Sequence, residues 1–108
     1  MMSNAGDEIN AQLKTAGNEV YERLVELPLW DDYKEQIKSQ IADLKNIGGS
    51  YAGTITAGKF LEHFTTYPFI HLDIAGPAFT SSPENYKGNG GTGVGIRLLN
   101  QFFKNYKA

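Results

Sequence analysis

Apolar residues recur with the period of an α-helix in the first part of the chain. A spacing of three or four residues is kept by Ile9, Leu13, Ala16, Val20 and Leu24. This spacing puts the apolar side chains on one helix face, so the pattern predicts a helix over residues 7–26. Pro28 ends this helix, because a proline disfavours the helical conformation of the residue that precedes it.

The same period predicts three further helices. They cover residues 31–38 (with fraying before Lys45), residues 52–65, and the end of the chain after a glycine-rich run. Asp31 and Asp32 are interpreted as a helix start, because aspartate is a preferred capping residue. The apolar faces consist, in chain order, of Tyr33, Ile37, Ile41 and Leu44; of Ala57, Phe60, Leu61 and Phe64; and of Val94, Leu98, Phe102 and Tyr106.

The pattern predicts one convincing strand, over residues 69–74. Ile70, Leu72 and Ile74 share one face, and the opposite face is also largely apolar, which is typical of a strand covered on two sides. We expect a central strand flanked by helices, with these three residues among the most buried. A single strand cannot satisfy its own backbone groups. Either a weaker strand lies near residues 45–47 or 82–86, or the chain is part of a larger α/β domain.

Composition excludes several classes of protein. The chain has 108 residues, which is one domain or less, and a net charge of −2, which excludes a basic nucleic-acid surface over its whole length. It has no cysteine, so a disulfide framework, a thiolate zinc site and a cysteine nucleophile are excluded. No apolar run approaches the roughly 20 residues needed to cross a bilayer. We therefore predict neither a nucleic-acid nor a membrane partner.

His71 and Asp73 lie two residues apart on one face of the predicted strand. They could be a general base with its orienting carboxylate, or two ligands of a metal site that needs further ligands. The commoner arrangement is a polar pair at a strand end that holds loops by hydrogen bonds. We favour this structural interpretation over a small hydrolase that uses the two residues.

The run from Gly88 to Gly93 has the letters G-x-G-x-x-G and precedes a predicted helix. A dinucleotide-binding motif requires a strand directly before it, and a loop precedes this one. The glycines are better explained by tight turns that pack the start of the helix. An alternative is an anion site at Gly91, Thr92 and Gly93, because backbone N–H groups at a helix N-terminus attract negative charge.

Four stretches of the chain together are similar to one enzyme family. They are residues 27–33 (LPLWDDY), residues 42–57 (with ADLKNIGG and AGTITA), residues 71–78 (HLDIAGPA) and residues 87–99 (with GTGVGIRLL). In order and spacing, they resemble the C-terminal part of the cytosolic leucyl aminopeptidases. Members of that family are two-metal exopeptidases that remove N-terminal residues, often leucine, from peptides.

The resemblance implies an α/β fold. Residues 1–108 would form a single segment, an incomplete C-terminal part of the aminopeptidase catalytic domain, with about four helices around one or a few strands. It also implies a cytoplasmic location, a peptide substrate and a homo-oligomer, which is a hexamer in the family.

The resemblance also implies what the chain lacks. The family's metal ligands are a lysine and several acidic residues, the last of them in an Asn-Thr-Asp-Ala-Glu-Gly-Arg signature that is absent from this sequence. We therefore expect no catalytic residue, no metal ligand and no cofactor in this chain, and no activity from it alone. Two divalent ions, Zn or Mn, are expected in the complete family enzyme.

The resemblance implies a functional role for one segment of this chain. Ala75, Gly76, Pro77 and Ala78 look like the segment that lines the pocket for the substrate's N-terminal side chain, and small side chains there leave room for a bulky apolar group. The alternative hypothesis is a stand-alone, non-catalytic binding or interaction module with an anion site at the glycine-rich run.

Overall fold

The computed structural model describes residues 1–83, 86 and 88–106. This part of the chain forms three α-helices, one 3₁₀ segment and four two-residue strands, which confirms a mixed α/β fold with four helical segments. The helices are α1 (Asp7–Glu19), α2 (Gly53–Glu62) and α3 (Ile96–Asn105), and the 3₁₀ segment is Asp31–Ile37. The strands are β1 (Met2–Ser3), β2 (Ile70–His71), β3 (Phe79–Thr80) and β4 (Gly90–Gly91). No helix in the described part is both long and apolar enough to cross a membrane.

The chain divides into two compact units. The first contains residues 1–6 and 25–72, and the second contains residues 7–24 and the chain from Asp73 onward. In the first unit, β1 and β2 pair antiparallel with Met2 opposite His71, and α2 packs against the 3₁₀ segment. Its buried apolar side chains are Met1, Met2, Ile37 and Ile55.

The predicted central strand is much shorter than residues 69–74. Only Ile70 and His71 are extended and paired, Leu72 is half-buried, and Ile74 is 42% exposed. The expectation that Ile70, Leu72 and Ile74 would be among the most buried residues is therefore wrong. In the described part of the chain, β2 has a single partner strand, β1, so it is an edge strand of a two-stranded sheet and not a central strand.

The apolar face predicted for α2 is also wrong. The helix buries Ile55, Thr56, Gly58 and Lys59, whereas Ala57 is exposed and Phe64, just beyond the helix, is 68% exposed. Lys59 is buried on this face with its ammonium group bonded to the carboxylates of Asp31 and Glu62.

In the second unit, α1 packs against α3. Helix α1 buries Leu13, Ala16 and Gly17, and α3 buries Leu98, which lies against Gly17. Gly17 has no room for a side chain, because a Cβ atom there would lie 3.2 Å from Leu98 Cδ1 and 2.6 Å from the Glu22 carbonyl oxygen. The pairing of β3 with β4, Phe79 opposite Gly91, belongs to the same unit.

Helix α1 ends at Glu19, seven residues earlier than predicted. Tyr21 has a left-handed backbone with φ of 58°. The N–H of Glu22 donates to the Gly17 carbonyl at 2.8 Å, and that of Tyr21 donates to the Asn18 carbonyl at 3.4 Å. This is the hydrogen-bond pattern of a Schellman C-cap, with tyrosine in the position that glycine usually takes. It turns the chain so that Glu22 leaves the helix axis.

Candidate functional site

The segment predicted to line a substrate pocket, residues 75–78, forms a tight turn, which we call the wall segment. The Asp73 carboxylate accepts a hydrogen bond from the Ala75 N–H at 3.0 Å, and the Ala78 N–H donates to the Ile74 carbonyl at 2.9 Å. Ala75, Gly76 and Pro77 are exposed and Ala78 is half-buried. The two bonds fix the backbone of the turn while its small side chains remain accessible.

The structure brings the glycine-rich run (residues 88–95) against the wall segment. The Thr92 N–H donates to the Ala78 carbonyl at 2.9 Å, and the Thr92 hydroxyl donates to the Pro77 carbonyl at 2.5 Å. The β3–β4 pairing holds the two chain segments together directly beside these bonds. The two groups of residues singled out in the sequence are therefore neighbours, although their shared position was not predicted.

A carboxylate of the chain itself caps α3. Glu22 Oε2 accepts hydrogen bonds from the N–H groups of Gly95 and Leu98, both at 3.0 Å, and Glu22 Oε1 accepts one from Arg97 Nε at 3.2 Å. Gly95 has φ of 93°, a conformation that glycine adopts at little cost. Three N–H groups at this helix N-terminus, those of Gly95, Ile96 and Leu98, are therefore already bonded. Anion binding at Gly91, Thr92 and Gly93 stays a prediction.

The environment of Glu22 changes its acidity. Burial raises the pKa of this carboxyl group, but hydrogen bonds from the Leu98 N–H, the Arg97 side chain and the Gly95 N–H outweigh burial, so its pKa lies below the ordinary value. A lowered pKa in the folded state means that the ionised carboxylate stabilises the fold. This contribution is complete above the ordinary pKa and is lost as the pH falls through the folded-state pKa.

We expect Glu22→Gln to lower the free energy of unfolding at neutral pH by about 0.5–2 kcal/mol, the usual effect of removing a helix cap. Urea titrations of both proteins between about pH 7 and about pH 3 measure the effect. The difference between them should shrink as the pH falls below the ordinary carboxyl value of 4.5. Glu35→Gln, which removes a carboxylate from an exposed pair with Lys38, is the control. A difference that is constant with pH would contradict the assignment.

Sequence reasoning missed a buried lysine in the first unit. Lys59 on α2 is 2% exposed, and its Nζ donates to Asp31 Oδ1 at 3.0 Å, to Glu62 Oε2 at 2.5 Å and to the Leu29 carbonyl at 3.0 Å. The partners complete the hydrogen bonding of the ammonium group, as a buried charge requires. Lys59 thus joins α2 to the start of the 3₁₀ segment.

One half of this cluster could have been recognised in the sequence. Glu62 follows Lys59 by three residues, a spacing at which side chains on a helix are neighbours. The second carboxylate, Asp31, lies 28 residues earlier in the chain, and nothing in the local pattern predicts that contact. The 3₁₀ segment begins at Asp31, as predicted, but the predicted capping role is wrong: Trp30 takes the N-cap position, and the Asp31 carboxylate binds Lys59 and Lys34.

His71 and Asp73, the polar pair of the predicted strand, make different contacts in the structure. The His71 ring lies in β2 and stacks on Phe69, with ring centroids 6.3 Å apart, while the Asp73 carboxylate holds the wall segment. The contact of Asp73 is the loop-holding role that we favoured. Within the described residues, no group of three His, Asp or Glu side chains could hold a metal ion.

Comparison with known proteins agrees with this fold. Residues 1–100 match the model of the catalytic domain of the cytosol aminopeptidase family. The chain belongs to the cytosol aminopeptidase family. The match covers every element from β1 to the first turn of α3, including the wall segment and the glycine-rich run.

Curated relatives in this family are about half identical to the chain. A probable cytosol aminopeptidase of Clostridium perfringens is 52% identical over 94 residues, which are 86% of this chain and 19% of the relative. One of Chloroherpeton thalassium is 48% identical over 103 residues, which are 94% of this chain and 20% of the relative. The chain thus spans about a fifth of the length of the curated relatives that it matches.

Solved structures of the family contain the same fold. The cytosol aminopeptidase of Coxiella burnetii superposes with a TM-score of 0.83 at 29% identity, over 98% of this chain and 23% of that one. The bottromycin maturation enzyme BotP, solved in complex with Mn, superposes with a TM-score of 0.86 at 29% identity, over 95% of this chain and 23% of that one.

Proposed function

We propose that this chain supplies the C-terminal part of an aminopeptidase catalytic domain, in an enzyme that releases N-terminal amino acids from peptides, and that the chain alone is inactive. The observation that carries the proposal is the family match over residues 1–100, since it includes both the wall segment and the run bonded to it. Ala75, Gly76, Pro77 and Ala78 would line the pocket for the substrate's first side chain.

The metal chemistry of such an enzyme would come from outside the described residues. In a two-metal peptidase, the ions activate a water molecule and polarise the scissile carbonyl group. This requires several convergent ligands, and the described part of the chain has no group of three that could provide them. The manganese of the BotP structure supports Mn as one candidate ion for the complete enzyme, with Zn as the other. We assign no catalytic step to residues of this chain.

Exposed apolar surface supports the assignment as part of a larger assembly. Large apolar side chains are exposed on α2 and after it (Leu61, Phe64) and on α3 (Leu99, Phe103). In each pair the two side chains are three or four residues apart and so are neighbours, and an exposed apolar patch often marks a contact with another part of a protein. We propose that these side chains contact the remainder of the catalytic domain or a neighbouring subunit of the homo-oligomer expected for the family. We also propose the cytoplasmic location that the family implies.

We expect no hydrolysis of leucine p-nitroanilide by the purified 108-residue chain in the presence of Mn or Zn. The family's Asn-Thr-Asp-Ala-Glu-Gly-Arg ligand signature is absent from the sequence, and no group of three His, Asp or Glu among the described residues could hold a metal ion. The measurement compares turnover with a control that contains the metal alone, and determines the metal content after dialysis. Turnover above that control, abolished by His71→Ala or Asp73→Asn, would contradict the proposal and favour the small hydrolase.

A further inference from the structure

We propose that Thr92 is a positioning residue that sets substrate selectivity by holding the Pro77–Ala78 backbone of the wall segment. The inference rests on the proposed function, because it requires the wall segment to face the substrate's first side chain. It goes beyond that function in assigning selectivity to a residue that lies outside the wall.

Thr92 contacts two successive peptide groups of the wall. Its hydroxyl donates to the Pro77 carbonyl at 2.5 Å and its N–H donates to the Ala78 carbonyl at 2.9 Å. The same hydroxyl oxygen accepts a hydrogen bond from the Val94 N–H at 3.3 Å, which orients the hydroxyl group. Thr92 therefore holds the wall backbone at two successive carbonyl groups, one through its hydroxyl group and one through its backbone N–H.

Thr92 is itself held from both sides along the chain. On one side, Gly91 pairs with Phe79 in the β3–β4 ladder. On the other side, the Gly95 N–H is bonded to the Glu22 carboxylate at the start of α3. Because these anchors do not depend on the Thr92 hydroxyl, its removal should loosen the wall segment while the surrounding fold is kept.

Substitution by valine or serine separates the branched shape of the Thr92 side chain from its hydroxyl group. Valine keeps the branched shape of threonine but has no hydroxyl group, whereas serine keeps the hydroxyl group. Thr80 provides a matched control, because its hydroxyl also donates to a carbonyl oxygen, that of Ser82 at 2.7 Å, outside the wall segment. Thr80→Val thus removes a hydroxyl-to-carbonyl hydrogen bond at β3, on the other side of the β3–β4 pairing from Thr92.

The test uses a chimera in which this chain replaces the matching segment of the Clostridium perfringens relative. The readout is the ratio of kcat/KM for leucine p-nitroanilide to that for alanine p-nitroanilide. Thr92→Val should lower this ratio by about threefold to tenfold, as expected from the loss of one neutral hydrogen bond. Thr92→Ser and Thr80→Val should leave the ratio unchanged. Ala78→Phe, which fills the proposed pocket, should lower it further.

The outcomes distinguish this inference from the proposed function. An unchanged ratio in Thr92→Val, with a lowered ratio in Ala78→Phe, would overturn the inference alone. An unchanged ratio in Ala78→Phe would overturn both the wall assignment and the inference. If the unaltered chimera shows no turnover, the holding role of Thr92 is tested instead by the rate of amide hydrogen exchange at Ala78 in the 108-residue chain. Faster exchange in Thr92→Val than in Thr80→Val supports the holding role, and equal rates overturn it.

Discussion

Replacement of Lys59 by alanine is expected to lower the free energy of unfolding by about 3–5 kcal/mol, the usual cost of removing one partner of a buried ion pair. The ammonium group is bonded to Asp31, Glu62 and the Leu29 carbonyl, and the lysine side chain is 2% exposed. Its loss leaves the largely buried Glu62 carboxylate without its cation and creates a cavity beneath α2. Urea denaturation followed by circular dichroism measures the effect.

Lys38→Ala is the matched control for Lys59→Ala. Lys38 also forms an ion pair with a glutamate three residues away, Glu35, but both side chains are largely exposed. Exposed pairs of this kind contribute about 0–1 kcal/mol. Equal effects of the two substitutions would contradict the assignment of Lys59 as the residue that joins α2 to the 3₁₀ segment.

Leu98→Ala is expected to destabilise the second unit by about 2–5 kcal/mol, because a large side chain is removed from a closely packed site. Leu98 is 2% exposed, and its Cδ1 lies against the position where Gly17 has no side chain. Gly17 has no side chain that could move into the cavity left by Leu98→Ala, so the lost apolar contact is not replaced from that side. Thermal and urea denaturation both report on this loss.

The neighbouring Leu99 offers a control of identical chemistry. It belongs to the same helix but is 42% exposed, so Leu99→Ala removes much less buried surface. The expected effect is below about 1 kcal/mol, in the range of partly exposed sites. A loss at Leu99 as large as that at Leu98 would mean that α3 buries a different face from the one observed.

The helices could be predicted from the sequence because their apolar spacing is local. Leu13 and Ala16 on α1 and Leu98 on α3 are buried where the period places them. The end of α1 could not be predicted in this way. The apolar spacing continues to Leu24, whereas the chain leaves the helix after Glu19 through the left-handed Tyr21. A tyrosine gives no local signal for this conformation, which glycine usually adopts.

The remaining differences come from contacts between residues that are distant in the sequence. The buried face of α2 includes Gly58, which lies beside Met2 and Leu29, and Lys59, which binds Asp31. Ala57, on the face predicted to be buried, is exposed. The capping of α3 depends on Glu22, 73 residues before Gly95. For the site, the resemblance predicts a pocket wall at residues 75–78, and the G-x-G-x-x-G letters draw attention to the run from Gly88 to Gly93. The contact between them through Thr92 required the three-dimensional structure.

The most direct test of the central claim is the turnover of leucine p-nitroanilide by three proteins. They are the Clostridium perfringens relative, that relative without its matching segment, and the chimera in which this chain replaces the segment. If the chain is a functional part of the aminopeptidase catalytic domain, the truncated protein is inactive. The chimera then retains kcat/KM within about tenfold of the relative, a loss of at most about 1.4 kcal/mol in transition-state stabilisation. A folded, metal-loaded chimera no more active than the truncated protein would contradict the claim.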